Sequence, residues 1–199
     1  MRTVGTKREM TEQAIYNAGV ELIARLGYEG MTLRMLANEV SMKAGSLYNY
    51  FSNKQDLLTL IMKTVLRDLS QEFTERVDLQ SHTLKRFQAM VSVHIHFHTR
   101  RRHEVFIGNM ELRSLDREHY DLISRLRADY ERRVRLLIDD GVKEGIFDVM
   151  DSNLTTKALI SMLTGVCNWY TPDGRMSIEQ LEDYYTDLAL SLVKYKPAS

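Results

Sequence analysis

Apolar residues along this chain recur at intervals of three and four. Ile15, Ala18, Leu22, Ile23 and Leu26 form one series; Leu33, Leu36, Ala37 and Val40 form a second; Leu57, Leu58, Ile61, Val65 and Leu69 form a third. Side chains three and four apart share one face of an α-helix, so each series predicts a helix with one buried stripe. No stretch alternates with period two between hairpin turns. Only two prolines, Pro172 and Pro197, interrupt the chain. The expected fold class is all-α.

Cap and turn residues set the expected boundaries. Thr6 and Glu9 have capping-box spacing and open a first helix after a short tail over residues 1–5. Gly27 ends it, where glycine relieves left-handed strain. Thr32 caps a short second helix, Ser41-Met42 makes a tight corner, and a third short helix runs from about Lys43 to Phe51. Ser52-Asn53 breaks it before a longer helix, about Lys54 to Arg76. Residues 83–99, 103–114 and 117–143 also read as helical, and "EGIF", 144–147, is a stop. Asp151 caps an apolar helix to Tyr170, "TPDGRM" turns the chain, and Ser177 with Gln180 opens a last helix to about Lys194. That gives about nine helices, divided into a head over 1–54, a linking helix over 55–76 and a larger bundle over 77–199.

Charge and cysteine usage narrow the function classes. The formal net charge is zero, so any nucleic-acid site must be local. Cys167 is the single cysteine, which excludes an intrachain disulfide and fits a reducing cytosol. No leading apolar signal segment and no 18-residue apolar run occur. A soluble cytoplasmic protein without membrane association is expected.

The three short N-terminal helices carry the chemistry. Two helices joined by a tight corner, the second rich in small residues at its start, form a helix-turn-helix pattern whose second helix enters the major groove. In "KAGS", Ala44 and Gly45 allow close backbone approach, and Ser46 can bond either base type. Leu47 offers apolar contact to a thymine methyl, while Tyr48, Tyr50 and Lys54 reach phosphates. Leu36, Ala37 and Phe51 face inward. Tyr48 and Tyr50 stand about 200° apart round a helix, so they cannot share a buried face. Over 1–54, Arg2, Lys7, Arg8, Arg25, Arg34, Lys43 and Lys54 oppose Glu9, Glu12, Glu21, Glu29 and Glu39, a net of +2. One such head binds weakly, and pairing two heads on one duplex supplies affinity.

The run "AIYNAGVELIARLGYEGMTLRMLANEVSMKAGSLYNYFSNKQDLL", 14–58, resembles the tetracycline-repressor (TetR) family of bacterial transcription regulators. The resemblance implies phosphate contacts from Thr32, Tyr48, Tyr50 and Lys54, and base contacts from Arg34, Lys43, Ala44, Ser46 and Asn49. Ser41 departs from the glycine usual at the corner and takes the needed conformation at a small energetic cost. The resemblance further implies a homodimer on a double-stranded DNA operator, assembled through helices 151–170 and 177–194. The apolar face over 154–166 suits both a partner surface and intramolecular core.

The resemblance also implies a small-molecule effector pocket in the C-terminal domain, released from DNA register through a shift of the fourth helix. Met90, His94, Phe97, Phe106, Met110, Arg113, Tyr130, Met162, Asn168 and Trp169 are its expected lining. Residues 111–193 resemble members that sense acyl-CoA thioesters. Where that group often has "RWYRPDG", this chain has "NWYTPDG", 168–174, with Asn168 and Thr171 replacing two arginines. Arg113, Arg125, Arg127 and the run Arg100-Arg101-Arg102 are potential substitutes for the CoA phosphates. No cofactor is expected. "HIHFH", 94–98, places His94 and His98 one turn apart, but two ligands do not specify a metal; histidines lining a pocket or helix surface are the preferred reading. A DNA-bound protein-interaction module without an effector is the alternative function. No nucleophile–base–acid set and no glycine-rich phosphate loop supports an enzyme.

Overall fold

The computed structural model describes residues 7–197. The elements are α1 (Lys7–Gly30), α2 (Leu33–Glu39), α3 (Ala44–Leu47), α4 (Lys54–Arg76), α5 (Thr83–Arg100), α6 (Arg102–Met110), a 3₁₀ turn over Leu112–Ser114, α7 (Arg117–Lys143), α8 (Ser152–Thr164), α9 (Val166–Trp169) and α10 (Ile178–Leu192). Among the described residues there is no strand, and no helix is long and apolar enough to cross a membrane. The all-α expectation holds. The Thr6–Glu9 capping box and the 1–5 tail lie outside the described residues.

The caps read from sequence are present. Thr32 Oγ1 accepts from Met35 N at 3.2 Å, and Asp151 accepts from Asn153 N and Leu154 N. Ser177 and Gln180 form a complete capping box. Gly27 leaves helical geometry at φ +73°, ψ 163°, a region that a side chain would make costly.

Three expected helices are shorter. The 103–114 helix ends at Met110 and gives way to the 3₁₀ turn over Leu112–Ser114. α3 ends at Leu47, not Phe51; residues 48–50 form tight turns in which Tyr50 N donates to Leu47 O at 2.9 Å. The 151–170 helix divides at Gly165 into α8 and α9.

Contacts group the chain into two compact units that cut it differently from the linear division. One contains residues up to Val65 together with His103–Ile123; the other contains Leu66–Arg102 and Ser124 onward. In the first, α1 packs on α2 and α2 on α3, over a core including Ile15, Leu22, Met31, Leu36, Leu47 and Leu57. In the second, α5 packs against α8, α9 and α10. It is buried almost all round, with Phe87, Met90, Val91, Val93, Ile95 and Phe97 fully enclosed. Its buried polar groups are mostly partnered: Thr99 Oγ1 donates to Ile95 O at 2.7 Å, and Ser92 Oγ accepts from Arg76 at 3.0 Å. The "EGIF" stop is tied to the end of the chain, Asp148 N to Val193 O and Lys196 N to Ile146 O, each at 2.9 Å.

The corner between α2 and α3 turns at Ser41, whose φ of +53° is left-handed. That conformation costs an L-residue about 1–2 kcal/mol relative to glycine. Ser41→Gly should therefore raise the thermal midpoint by about 2 °C. Ser41→Val, β-branched at the same φ, should lower it by several degrees. Thermal denaturation followed by circular dichroism checks both.

Candidate nucleic-acid interface

The corner at Ser41 and the burial of Leu47 present a set of side chains to solvent. Leu36, Ala37, Leu47 and Phe51 close the interior. Thr32, Arg34, Lys43, Ala44, Gly45, Tyr48 and Asn49 are exposed around them, and Ser46, Tyr50 and Lys54 are half-buried. The face thus carries hydroxyls, three cations, an amide and two phenols, groups that bond phosphates and base edges. A Cβ built on Gly45 meets nothing within 4 Å, so the space above it belongs to solvent or a partner. Tyr48 is 59% exposed while Tyr50 is half-buried.

Two expected contacts change. Leu47 is 0% exposed and holds α3 onto the head, so it does not reach a thymine methyl. Its position four residues before Phe51 puts it on the inner face of the turn. Lys54 is engaged within the head: its Nζ lies 4.1 Å above the Tyr28 ring and 3.4 Å from Glu29 O. A phosphate contact from Lys54 must compete with this cation–π arrangement.

Sequence reasoning missed the groups holding this face. Asp56 N donates to Asn53 Oδ1 at 3.0 Å, and Ser52 N donates to Asp56 Oδ2 at 2.8 Å, a reciprocal cap at the start of α4. The spacing Asn53-x-x-Asp56 is the signal that could have found it. Gln55 pairs with the 114–116 turn, and Tyr28 N donates to Glu111 Oε1 at 3.0 Å. Those partners lie 59 to 83 residues away, and no local pattern announces them.

The expected effector lining is shared between the two units. Phe106, Met110 and Arg113 belong to the first unit and are exposed. In the second unit, Met90, His94, Phe97 and Tyr130 are buried, Met162 is half-buried, and Asn168 and Trp169 are exposed. The helix break at Gly165 brings Trp169 instead against Tyr185, ring centroids 6.4 Å apart. Both border an open cleft of about 710 Å³ with Arg175, Met176, Tyr184 and Leu188. The arginine run is committed elsewhere: Arg100 pairs with Glu72, Arg101 pairs with Asp68 at 2.6 Å, and Arg102 Nε lies 3.5 Å from Cys167 O. A phosphate contact from Arg100 or Arg101 would have to compete with these carboxylates.

The histidine pair forms a buried polar cluster. His94 Nε2 and the Tyr130 hydroxyl are 2.7 Å apart, His98 Nδ1 donates to His94 O at 2.7 Å, and the two imidazoles stack at 4.9 Å. His94 Nδ1 is buried without a hydrogen-bond partner. No group of three or more metal-type donors assembles among the described residues. Burial drives the pKa of His94 well below the usual imidazole value, with His98 adding to it, and lowers that of His98 to about 4. Burial also pushes the Tyr130 phenol upward. All three are neutral at pH 7.

The sequence matches the family described as "Bacterial regulatory proteins, tetR family" over residues 15–61 and that described as "Tetracyclin repressor-like, C-terminal domain" over residues 80–193. The HTH-type transcriptional repressor KstR2 of Rhodococcus jostii is 24% identical over 190 residues, covering 94% of this chain and 92% of the relative. A bacterial regulatory protein in the tetR family from Rhodococcus RHA1 superposes with TM-score 0.88 at 24% identity, covering 94% of this chain and 98% of that one. AibR, in complex with isovaleryl coenzyme A and operator DNA, superposes with TM-score 0.84 at 24% identity, covering 94% and 100% respectively.

Two outcomes follow. Leu47→Ala should cost about 3 kcal/mol of stability, the price of an emptied core site, whereas Asn49→Ala should stay within about 0.5 kcal/mol; urea denaturation separates them. For the histidines, folded pKa values lie below the unfolded value of about 6.5. Stability is therefore unaffected above pH 6.5 and is lost as pH falls from 6.5 towards about 4. His98 should contribute about 2 kcal/mol of that loss by pH 5, and His94 adds to it in the same direction. Urea midpoints at pH 7 and pH 5 should show it, and His98→Asn should shrink the difference.

Proposed function

The chain belongs to the TetR family of bacterial regulatory proteins, a transcriptional repressor and not an enzyme, and from that premise we propose that it binds a palindromic operator as a homodimer and is released by an acyl-CoA thioester. The exposed face around α3 carries the reading. Its interior residues are buried, Tyr48 and Asn49 are exposed, and a Cβ built on Gly45 meets nothing within 4 Å.

In this reading Tyr48, Tyr50 and Thr32 grip phosphates and set register, while Arg34, Lys43, Ser46 and Asn49 meet base edges. Ala44 and Gly45 let the backbone approach the groove. Pairing supplies the affinity that a nearly neutral head lacks.

The second unit supports the pairing. α10 has two faces: Leu181, Ala189 and Val193 are buried inward, while Tyr184, Leu188 and Leu192, spaced by four, are exposed outward. Leu154 on α8 adds a further exposed apolar side chain at 66% exposure. A helix with an apolar stripe on its outer face suits a second copy of itself.

Support for the effector class comes from AibR, whose structure holds isovaleryl coenzyme A and operator DNA, and from the resemblance over 111–193. α4 runs without interruption from the first unit into the second. It is a covalent path by which effector occupancy biases the head between binding and non-binding states.

Selection of bound sequences from a random duplex pool, with and without isovaleryl coenzyme A, tests this reading. The expected product is an inverted repeat, depleted when the thioester is present. A repeat that survives every acyl-CoA added would favour control by another protein. Tyr48→Ala should weaken binding about tenfold on all sequences, while Asn49→Ala should flatten preference at one position of each half-site. Leu188→Glu should convert the sedimenting species to a monomer and weaken binding to the palindrome far more than to a half-site.

A further inference from the structure

The segment between α6 and α7 is fastened to the reading head by polar bonds from both ends of two side chains. Glu111 Oε1 accepts from the backbone N–H of Tyr28 at 3.0 Å, one residue after the break at Gly27, and Glu111 Oε2 accepts from Ser114 Oγ at 2.6 Å. Gln55, in the first turn of α4, donates through Nε2 to Ser114 O at 2.7 Å and accepts through Oε1 from Asp116 N at 3.0 Å. His119 adds a third tie, with Nδ1 2.7 Å from Asp116 and Nε2 3.5 Å from Asp56.

Each tie lands on an element that carries the reading face: the end of α1 before Thr32, and the start of α4 after Asn53. Apolar burial, here of Leu115, holds surfaces together but permits sliding, because it is non-directional. A side-chain amide bonded at both ends to successive backbone groups does not slide. The fastened segment continues into α7, whose residues from Ser124 onward belong to the second unit.

We propose that residues 111–119 set the orientation of the reading head, with Gln55 and Glu111 as positioning residues for simultaneous engagement of two half-sites. The proposal rests on the paired-head reading above. Neither residue touches DNA. A head freed from the clamp still recognises one half-site, but two freed heads sample many separations, and the effective concentration of the second at its half-site drops.

The test uses the full-length chain and compares a duplex bearing one half-site with one bearing the selected inverted repeat, and with repeats whose spacing is changed by one base pair. The combined variant Gln55→Ala with Glu111→Ala should retain half-site affinity within twofold. It should lose about tenfold on the repeat and discriminate less between spacings. Glu111→Gln keeps an oxygen for Tyr28 N and a polar group for Ser114 Oγ, so it should behave as wild type. Gln55→Ala alone leaves the Glu111 ties in place; it is the milder variant, with the same pattern expected at smaller amplitude, to be used if the combined one melts below the assay temperature. Equal losses on half-site and repeat would make the ties structural supports of the head and overturn the proposal. Unchanged affinity and unchanged spacing preference in the combined variant would overturn it too. If the wild-type chain itself gains nothing from the second half-site, the paired-head reading falls, and this proposal with it.

Discussion

A helix of four residues has no stability of its own, since it forms barely one hydrogen bond for the backbone it orders. Ala44–Leu47 exists because Leu47 is fully buried against the head. Everything the interface presents depends on that one side chain. It fixes the rotation of α3, and the rotation decides that Ala44, Gly45, Tyr48 and Asn49 are outside. The left-handed turn at Ser41 sets the entry angle, and the reciprocal cap of Asn53 and Asp56 starts α4 directly after the reading segment. A short element held at both ends and anchored beneath is rigid without being long.

The second unit answers a different constraint. α5 is enclosed on nearly every side, so the polar groups on it must find partners or remain neutral. Thr99 bonds back to its own helix and Ser92 takes a donor from Arg76. The two histidines give up their charge, and His94 still keeps one buried nitrogen unpaired. That residual cost sits at the centre of the unit, close to Tyr130 and Phe73, where the surrounding side chains are aromatic. α10 meets the opposite condition, with one apolar face inward on α5 and another outward.

Much of this was legible in the chain. Helix spacing and caps rest on local chemistry: a hydroxyl at Thr32 or Ser177 finds an N–H three residues on whatever the rest of the protein does. Part of the outward face was legible too: Tyr48 is exposed and Phe51 buried. Leu47 was misassigned, since in a helix running to Phe51 it reads as either inner or outer, and only the early end of α3 settles which. The effector lining was less legible, because an apolar side chain on an amphipathic helix gives no sign of which neighbour it meets.

By itself, the sequence determined the fold class, the caps, the N-terminal helix-turn-helix and the family, all of which follow from residues within a few positions of one another or from a dense local motif. The tertiary structure decided what depends on distant pairing. It placed Leu47 in the core, committed Arg100 and Arg101 to Glu72 and Asp68, turned Trp169 towards Tyr185, and joined Gln55 and Glu111 across 59 to 83 residues of chain. The physical reason is the same in each case: a helix dictates which residues share its face, but only packing dictates what that face meets.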